Sequence, residues 1–272
     1  MRAPHRLRPV RRPHRTAGRE GGPARAAAQA RRNTPAASPT LGFARAGGPP
    51  SPLGPHGPAA ARPEAASGNA GPYGGFGPPP PVVSRIRTHD RVVFLTYDDG
   101  AEKDPRFVDL VGELRLPVSM FLTDSVAGPG YGHFARLRSV GASIQNHTLD
   151  HPAPRGLPYA GQRAEICGQQ DKLRSRFGSR PRLFRPPYGT YDTTTRRAAA
   201  ACGISALVLW RASMTGGGEL TYLRGVHRLR PGDIVALDPD EGSGLTLRER
   251  TVRLLRRVQA DGLTVGRPED YV

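Results

Sequence analysis

Three short segments carry residue types that together can hydrolyse an acyl group with the help of a metal ion. Thr96–Gly100 (TYDDG) sets two adjacent carboxylates, Asp98 and Asp99, at the end of an apolar run. Asn146–Pro152 (NHTLDHP) spaces two imidazoles, His147 and His151, four residues apart. Phe184–Gly189 (FRPPYG) follows a short apolar segment with a charged, proline-stiffened turn.

On one helical turn, the i, i+4 spacing puts both imidazoles on one face, close enough to share an ion. One aspartate added to them makes a His-His-carboxylate set, which leaves positions open for water and substrate. Zinc is the first choice for such ligands, with cobalt, nickel or iron also suited. Neighbouring residues leaving a strand point different ways, so one carboxylate of the Asp98–Asp99 pair can bind the ion while the other faces the reacting centre. Gly100 permits a tight turn behind them. Arg185 keeps its charge and can grip a carboxylate in two places, with Asp98 its natural partner. The backbone N–H of Tyr188 can face a developing oxyanion. Asp150 reads as a turn or supporting residue rather than a fourth ligand. Each segment alone also fits an ordinary turn or loop; their combination points to chemistry.

The elements that must position these residues follow from hydrophobic patterning. Strands are predicted over Arg91–Tyr97, Val118–Leu122, Ala142–Gln145, Arg182–Phe184, Ile204–Trp210, Asp233–Leu237 and Leu263–Val265. Helices are predicted over Asp104–Arg115, His133–Val140, Leu157–Phe177, Asp192–Cys202, Thr221–Leu229 and Thr246–Ala260. About seven strands alternating with helices imply an α/β fold, a mostly parallel sheet with right-handed crossovers curled into a closed or nearly closed (β/α) barrel. Chemistry in such barrels sits at the C-terminal ends of the strands. All three segments follow predicted strands.

The 272 residues carry a formal net charge of +17, unevenly spread. Met1–Asp90 holds 14 Arg or Lys against 3 Asp or Glu, and the remainder 26 against 20. The first third is rich in Arg, Pro, Ala and Gly and poor in large aliphatics, so residues 1–83 are expected to form a disordered basic tail and linker. Residues 84–272 are expected to form the folded domain. No aromatic interleaving or recognition motif marks the tail as a nucleic-acid-binding arm, and nucleic acid is not an expected partner. No apolar stretch of signal-peptide length follows the basic N-terminus, and no run is long enough to span a membrane. Cys167 and Cys202 are the only cysteines, and their spacing suggests two small buried thiols rather than a disulfide or a metal motif.

The TYDDG, HTLDH and RPPYG segments together resemble the first three motifs of the polysaccharide deacetylase family, the NodB-homology carbohydrate esterases, and the resemblance covers roughly Ser84–Val272. It implies a distorted (β/α) barrel and a metal-dependent N- or O-deacetylase acting on a glycan, a monomer that works outside the cytoplasm. It further implies Asp98 as general base, Asp99, His147 and His151 as metal ligands, Arg185 as the residue orienting the base and Tyr188 as oxyanion donor. Two later motifs depart from the family pattern. Leu209–Met214 keeps Trp210 but offers no aspartate. The strand that usually ends in a histidine acid ends here in Asp238. A free aspartate titrates near pH 3.9 and donates poorly at neutral pH, so Asp238 implies reduced activity. His227 is the other candidate acid. The alternative reading is a family member that binds glycan with impaired turnover.

Overall fold

The computed structural model describes residues 78–223, 227–239 and 244–272. Residues 1–77 of the expected tail and most of the acidic Asp238–Gly244 loop lie outside the described residues. Ten strands are present among the described residues: β1 (Val82–Val83), β2 (Val92–Asp99), β3 (Ser119–Leu122), β4 (Ser143–Asn146), β5 (Leu183–Phe184), β6 (Ala206–Val208), β7 (Ala212–Met214), β8 (Leu220–Tyr222), β9 (Ile234–Leu237) and β10 (Thr264–Gly266). The α-helices are α1 (Pro105–Leu114), α2 (Asp124–Ala127), α3 (Tyr131–Ser139), α4 (Tyr159–Phe177), α5 (Thr193–Ala201) and α6 (Leu247–Ala260).

The strands run in the order β1-β6-β5-β4-β3-β2-β9-β7-β8, with β10 added beside β2. Every pairing is parallel except the β7–β8 hairpin. The result is the mostly parallel, curled (β/α) barrel that the alternation predicts, distorted as the family resemblance implies. Its distortion has a location. Three residues, Leu209–Arg211, separate β6 from β7, and β7 pairs with β9. The seam between β6 and β9 is therefore crossed by the chain itself rather than by a continuous ladder. The segment after β1 braces the same seam, where the Ile86 N–H donates to the Gly232 carbonyl at 2.8 Å. A side chain at 232 would lie 1.9 Å from the Ile86 carbonyl oxygen, and φ there is +85°, so glycine is required.

β2 is apolar along its length because it is covered on both faces. Val93, Leu95 and Tyr97 face the helices with Val111, Leu137 and Leu254. Val92 and Phe94 face the barrel interior with Phe121, Leu183, Val208 and Ile234. The helix starts follow their capping residues. Asp104 accepts the Arg106 N–H ahead of Pro105, and Asp192–Thr195 and Thr246–Glu249 form reciprocal capping boxes on α5 and α6.

The structure corrects four expectations. Val82–Val83, assigned to the linker, pairs with Leu207–Val208 in the sheet. The helix expected over Thr221–Leu229 is absent among the described residues of that stretch. Thr221 and Tyr222 belong to β8, joined to β7 by a Gly-rich turn, and residues 224–226 lie outside the described set. Among the described residues the barrel has ten strands rather than seven, because β1 sits in the proline-rich linker and β7 and β8 are short segments of mixed polarity outside the apolar runs. Cys167 and Cys202 form a disulfide, with their Cα atoms 4.9 Å apart. Their 35-residue separation carried no such signal. The bond follows from α4 lying against α5, a tertiary fact. Among the described residues no helix is long and apolar enough to cross a membrane.

Candidate active site

The three segments converge at the C-terminal mouth of the barrel. Asp98 and Asp99 are the last residues of β2. Their carboxylates diverge, with Asp99 in a left-handed conformation (φ 64°) as the strand ends. Asp98 Oδ1 meets Arg185 Nη1 at 2.7 Å. Asp99 Oδ1 lies 3.3 Å from His147 Nε2 and 3.2 Å from His151 Nε2. Gly100 turns the chain away with φ +82°, and a Cβ there would press on Phe134 and Leu122 at 2.8 and 2.9 Å.

The two histidines meet, but not on a helix. His147 follows β4 directly, and the segment after it is a loop in which Thr148 (φ 75°) and His151 (φ 60°) take left-handed conformations. Side chains hold this costly path in place. Asn146 Oδ1 accepts the Thr148 N–H at 2.9 Å, Thr148 Oγ1 accepts the His151 N–H at 3.1 Å, and Glu165 Oε2 accepts the N–H groups of Leu149 and Asp150. The ring centroids of His147 and His151 end 4.9 Å apart. Asp150 is exposed and turned away, a loop residue as expected. Glu165, on α4, is a supporting residue that nothing in its helical surroundings announced.

One ligand atom each from Asp99, His147 and His151 fits within 4.8 Å of the others. Two further observations test whether the set suits an ion. Asp99 Oδ1 is buried and accepts no well-formed hydrogen bond, although two ring nitrogens flank it. His147 Nδ1 lies 2.7 Å from the Arg185 carbonyl, which fixes the tautomer that leaves Nε2 a lone pair facing Asp99. Both fit a divalent cation. Burial acts to raise the Asp99 carboxyl pKa, but the two imidazoles outweigh it and hold the group well below the usual carboxylate range. His151 is raised by its contact with Asp99, against a smaller opposing effect of burial.

Arg185 is fully buried and every part of it is used. Its Nε donates to the Val208 carbonyl at 3.0 Å and its Nη2 to Leu209 at 3.4 Å. The guanidinium lies over the Phe121 ring at 4.4 Å, with Trp210 at 5.4 Å. A buried cation demands such pairing. Tyr188 follows with φ 58°, its ring 67% exposed and 4.8 Å from the His151 ring.

The two acid candidates separate. Asp238 follows β9 beside the mouth, its N–H bonded to the Met214 carbonyl. Burial, and then the neighbouring Asp98, push its carboxyl pKa upward; Arg185, Ser213 and Arg250 oppose them. His227 is exposed, its ring 5.6 Å from that of Tyr222. Tyr222 pairs with Ala212, the first residue of β7, so His227 lies toward the opposite end of the strands.

A curled, mostly parallel barrel with an Asp-His-His cluster and a buried Arg–Asp pair at its mouth defines a class of carbohydrate esterase fold. A family model described as polysaccharide deacetylase matches residues 85–207, a stretch that contains Asp98, Asp99, His147, His151, Arg185 and Tyr188 and ends before Asp238. The chain belongs to the polysaccharide deacetylase family. It is 68% identical over 193 residues to an uncharacterised protein of Streptomyces coelicolor, covering 71% of this chain and 78% of that one. It is 36% identical over 120 residues to a chitin deacetylase of Amylomyces rouxii, covering 43% of this chain but only 28% of that enzyme. Among solved structures, a CE4 family pseudoenzyme from Bacillus anthracis superposes with a TM-score of 0.59 at 17% identity, over 71% of this chain and 69% of that one. At that identity the likeness speaks for the fold.

Proposed function

We propose that the chain is a metal-dependent hydrolase that removes acetyl groups from an N-acetylated polysaccharide. The observation that carries this reading is the convergence of Asp99, His147 and His151 beside an Asp98 held at 2.7 Å by Arg185. A divalent ion, zinc first, held by Asp99, His147 and His151 supplies Lewis acidity and lowers the pKa of water. Asp98, aimed by Arg185, takes the proton of the attacking water. The backbone N–H of Tyr188 donates to the oxyanion that develops on the acetyl carbonyl. Asp238, whose carboxyl pKa is raised by burial and by the neighbouring Asp98, gives a proton to the leaving group.

Asp238 in place of a histidine also favours a second reading, a glycan-binding member with little turnover. An O-acetyl substrate, whose leaving group depends less on an acid than an amine does, is the intermediate case. Acetate release from N-acetylglucosamine oligomers with added zinc or cobalt decides. The enzyme reading expects measurable turnover that falls about 10²-fold or more in Asp98→Ala. Turnover that is unchanged in that variant overturns it. Oligomer binding without acetate release, in wild type and Asp98→Ala alike, selects the binder.

A further inference from the structure

The N-terminal face of the barrel, opposite the metal-binding mouth, holds a cavity whose origin lies in the strand ladder. β4 and β5 share one register pair, Asn146 with Phe184. Toward their N-terminal ends the strands part, and a side chain replaces the missing ladder: Gln145 Oε1 accepts the Leu183 N–H at 2.9 Å. The gap is a cavity of about 370 Å³.

Four arginines rim it: Arg138, Arg180, Arg182 and Arg267. Three are held in place. Arg138 Nη1 donates to the Phe177 carbonyl at 2.5 Å, Arg267 Nη2 to the Gly141 carbonyl at 2.7 Å, and Arg180 pairs with Asp171 at 2.6 Å. Carbonyl anchors fix a guanidinium without neutralising it, which pre-organises the charge for a ligand. Arg267 Nε is buried and has no acceptor. Arg182 is exposed, and no ion pair to it is formed among the described residues. The acid within the cavity, Glu269, is occupied by neutral donors, Ser119, Ser143 and Gln145. Four cations thus face one carboxylate inside the cavity and one, Asp171, at its rim. An orphan donor and uncompensated guanidinium forks call for an oxyanion with several acceptor oxygens.

We infer that this cavity binds a phosphate group. The shared chemistry has two sources, a free phosphate ion and a phosphodiester in a polymer. A second cavity, about 320 Å³, opens where the chain enters β2, β9 and β10, on the same end of the barrel; Arg91, Arg228 and Arg230 line it with one acid, Asp261, which is paired with Arg257. Two basic cavities on one face favour a polymer that presents phosphates repeatedly. A basic face of this kind seats the barrel on a phosphate-bearing polymer with the metal-binding mouth turned away from it.

The test uses the full chain, stripped of metal by a chelator so that phosphate has no ion to bind. Inorganic phosphate and a poly(glycerol phosphate) chain are titrated calorimetrically at low and moderate salt. Wild type is expected to saturate with both, with the polymer at least tenfold tighter. Arg182→Gln, which removes no contact of the fold, is expected to weaken both by about threefold or more, and Arg182→Gln/Arg267→Gln by tenfold or more with a shallower salt dependence. Acetate release on oligomers stays unchanged in Arg182→Gln, which separates this site from the hydrolytic one. Unchanged affinity for both ligands in Arg182→Gln and in the double variant overturns the site. Equal affinity per phosphate for ion and polymer overturns the polymer as its occupant.

Discussion

The backbone carbonyl of Arg185 faces His147 Nδ1 at 2.7 Å, while the guanidinium of the same residue holds Asp98 at 2.7 Å. One residue thus orients a metal-ligand candidate through its main chain and a base candidate through its side chain. Arg185→Lys separates the two. The carbonyl survives, so zinc affinity measured by chelator competition is expected to stay within about twofold. The planar fork to Asp98, Val208 and Leu209 is lost, and acetate-release kcat is expected to fall about 10²-fold. Equal losses in zinc affinity and kcat would mean that the side chain does not act through Asp98.

Asp99 Oδ1 is a buried acceptor without a donor, so the site gains most from a cation. Zinc at a hundred times its dissociation constant is expected to stabilise the fold by about 2.7 kcal/mol. In thermal melts, chelation should reverse the gain, and His151→Ala should abolish most of it. A zinc-induced rise of equal size in His151→Ala would exclude that ring as a ligand.

The raised pKa of Asp238 makes a signed prediction. A carboxyl that holds its proton more tightly when folded favours the folded state at low pH. That contribution is lost as pH climbs from its ordinary value, near 3.8, through the raised one. Melting temperatures of Asp238→Asn and wild type should therefore diverge in favour of the variant as pH rises from 4 to 7. Turnover should decline along the alkaline limb as Asp238 ionises. Asp238→His, titrating near 6.5, should extend that limb and raise kcat by about 10-fold or more. A pH–rate profile unaltered in Asp238→Asn would remove Asp238 from the reaction.

The chemistry of the site is legible in the sequence because its residue types are rare in combination and each group follows an apolar strand. The path that brings them together is not. Asp99, Thr148, His151 and Tyr188 all adopt positive φ without being glycine, and the preference of Asp and His for that region is too weak to flag the turns. The i, i+4 spacing of the histidines suggests a helical turn, and the structure instead reaches the same convergence through a capped loop. Asn146, Thr148 and Glu165 supply the caps, and such polar residues read as ordinary until their partners are known. Seven strands are legible from apolar runs, although β5, β6 and β10 are themselves only two or three residues long. The two- and three-residue strands β1, β7 and β8 are set by neighbours across the seam.

The Cys167–Cys202 disulfide ties α4 to α5, the two helices that flank β5 and the Arg185 turn. It closes a 35-residue separation, for which chain-entropy reasoning gives about 3–4 kcal/mol. Cys167→Ser/Cys202→Ala is expected to lower the melting temperature by roughly 6–16 °C for a domain of this size. Thiol titration of the unfolded protein under non-reducing conditions should find no free cysteine. Two free thiols, with melting unaffected by reductant, would show that the bond does not form. A formed bond also favours an oxidising surrounding, where such links persist.

Gly100 sets the exit from the Asp98–Asp99 pair, and its space is filled from outside the turn. Its φ of +82° strains any other residue, and a methyl there would meet Phe134 and Leu122 at 2.8 and 2.9 Å. Both neighbours are fully buried and cannot give way cheaply. Gly100→Ala is expected to cost about 2–4 kcal/mol in denaturant unfolding. Part of the strain should relax by shifting Asp99, whose own φ is 64°, so zinc affinity should fall with stability. Gly178→Ala is the control: φ is +74° there, but nothing lies within 4 Å of the added methyl. It should cost about 1 kcal/mol and leave zinc affinity alone. If the two variants lose stability equally, backbone conformation rather than the Phe134–Leu122 wall fixes the turn that presents the aspartates.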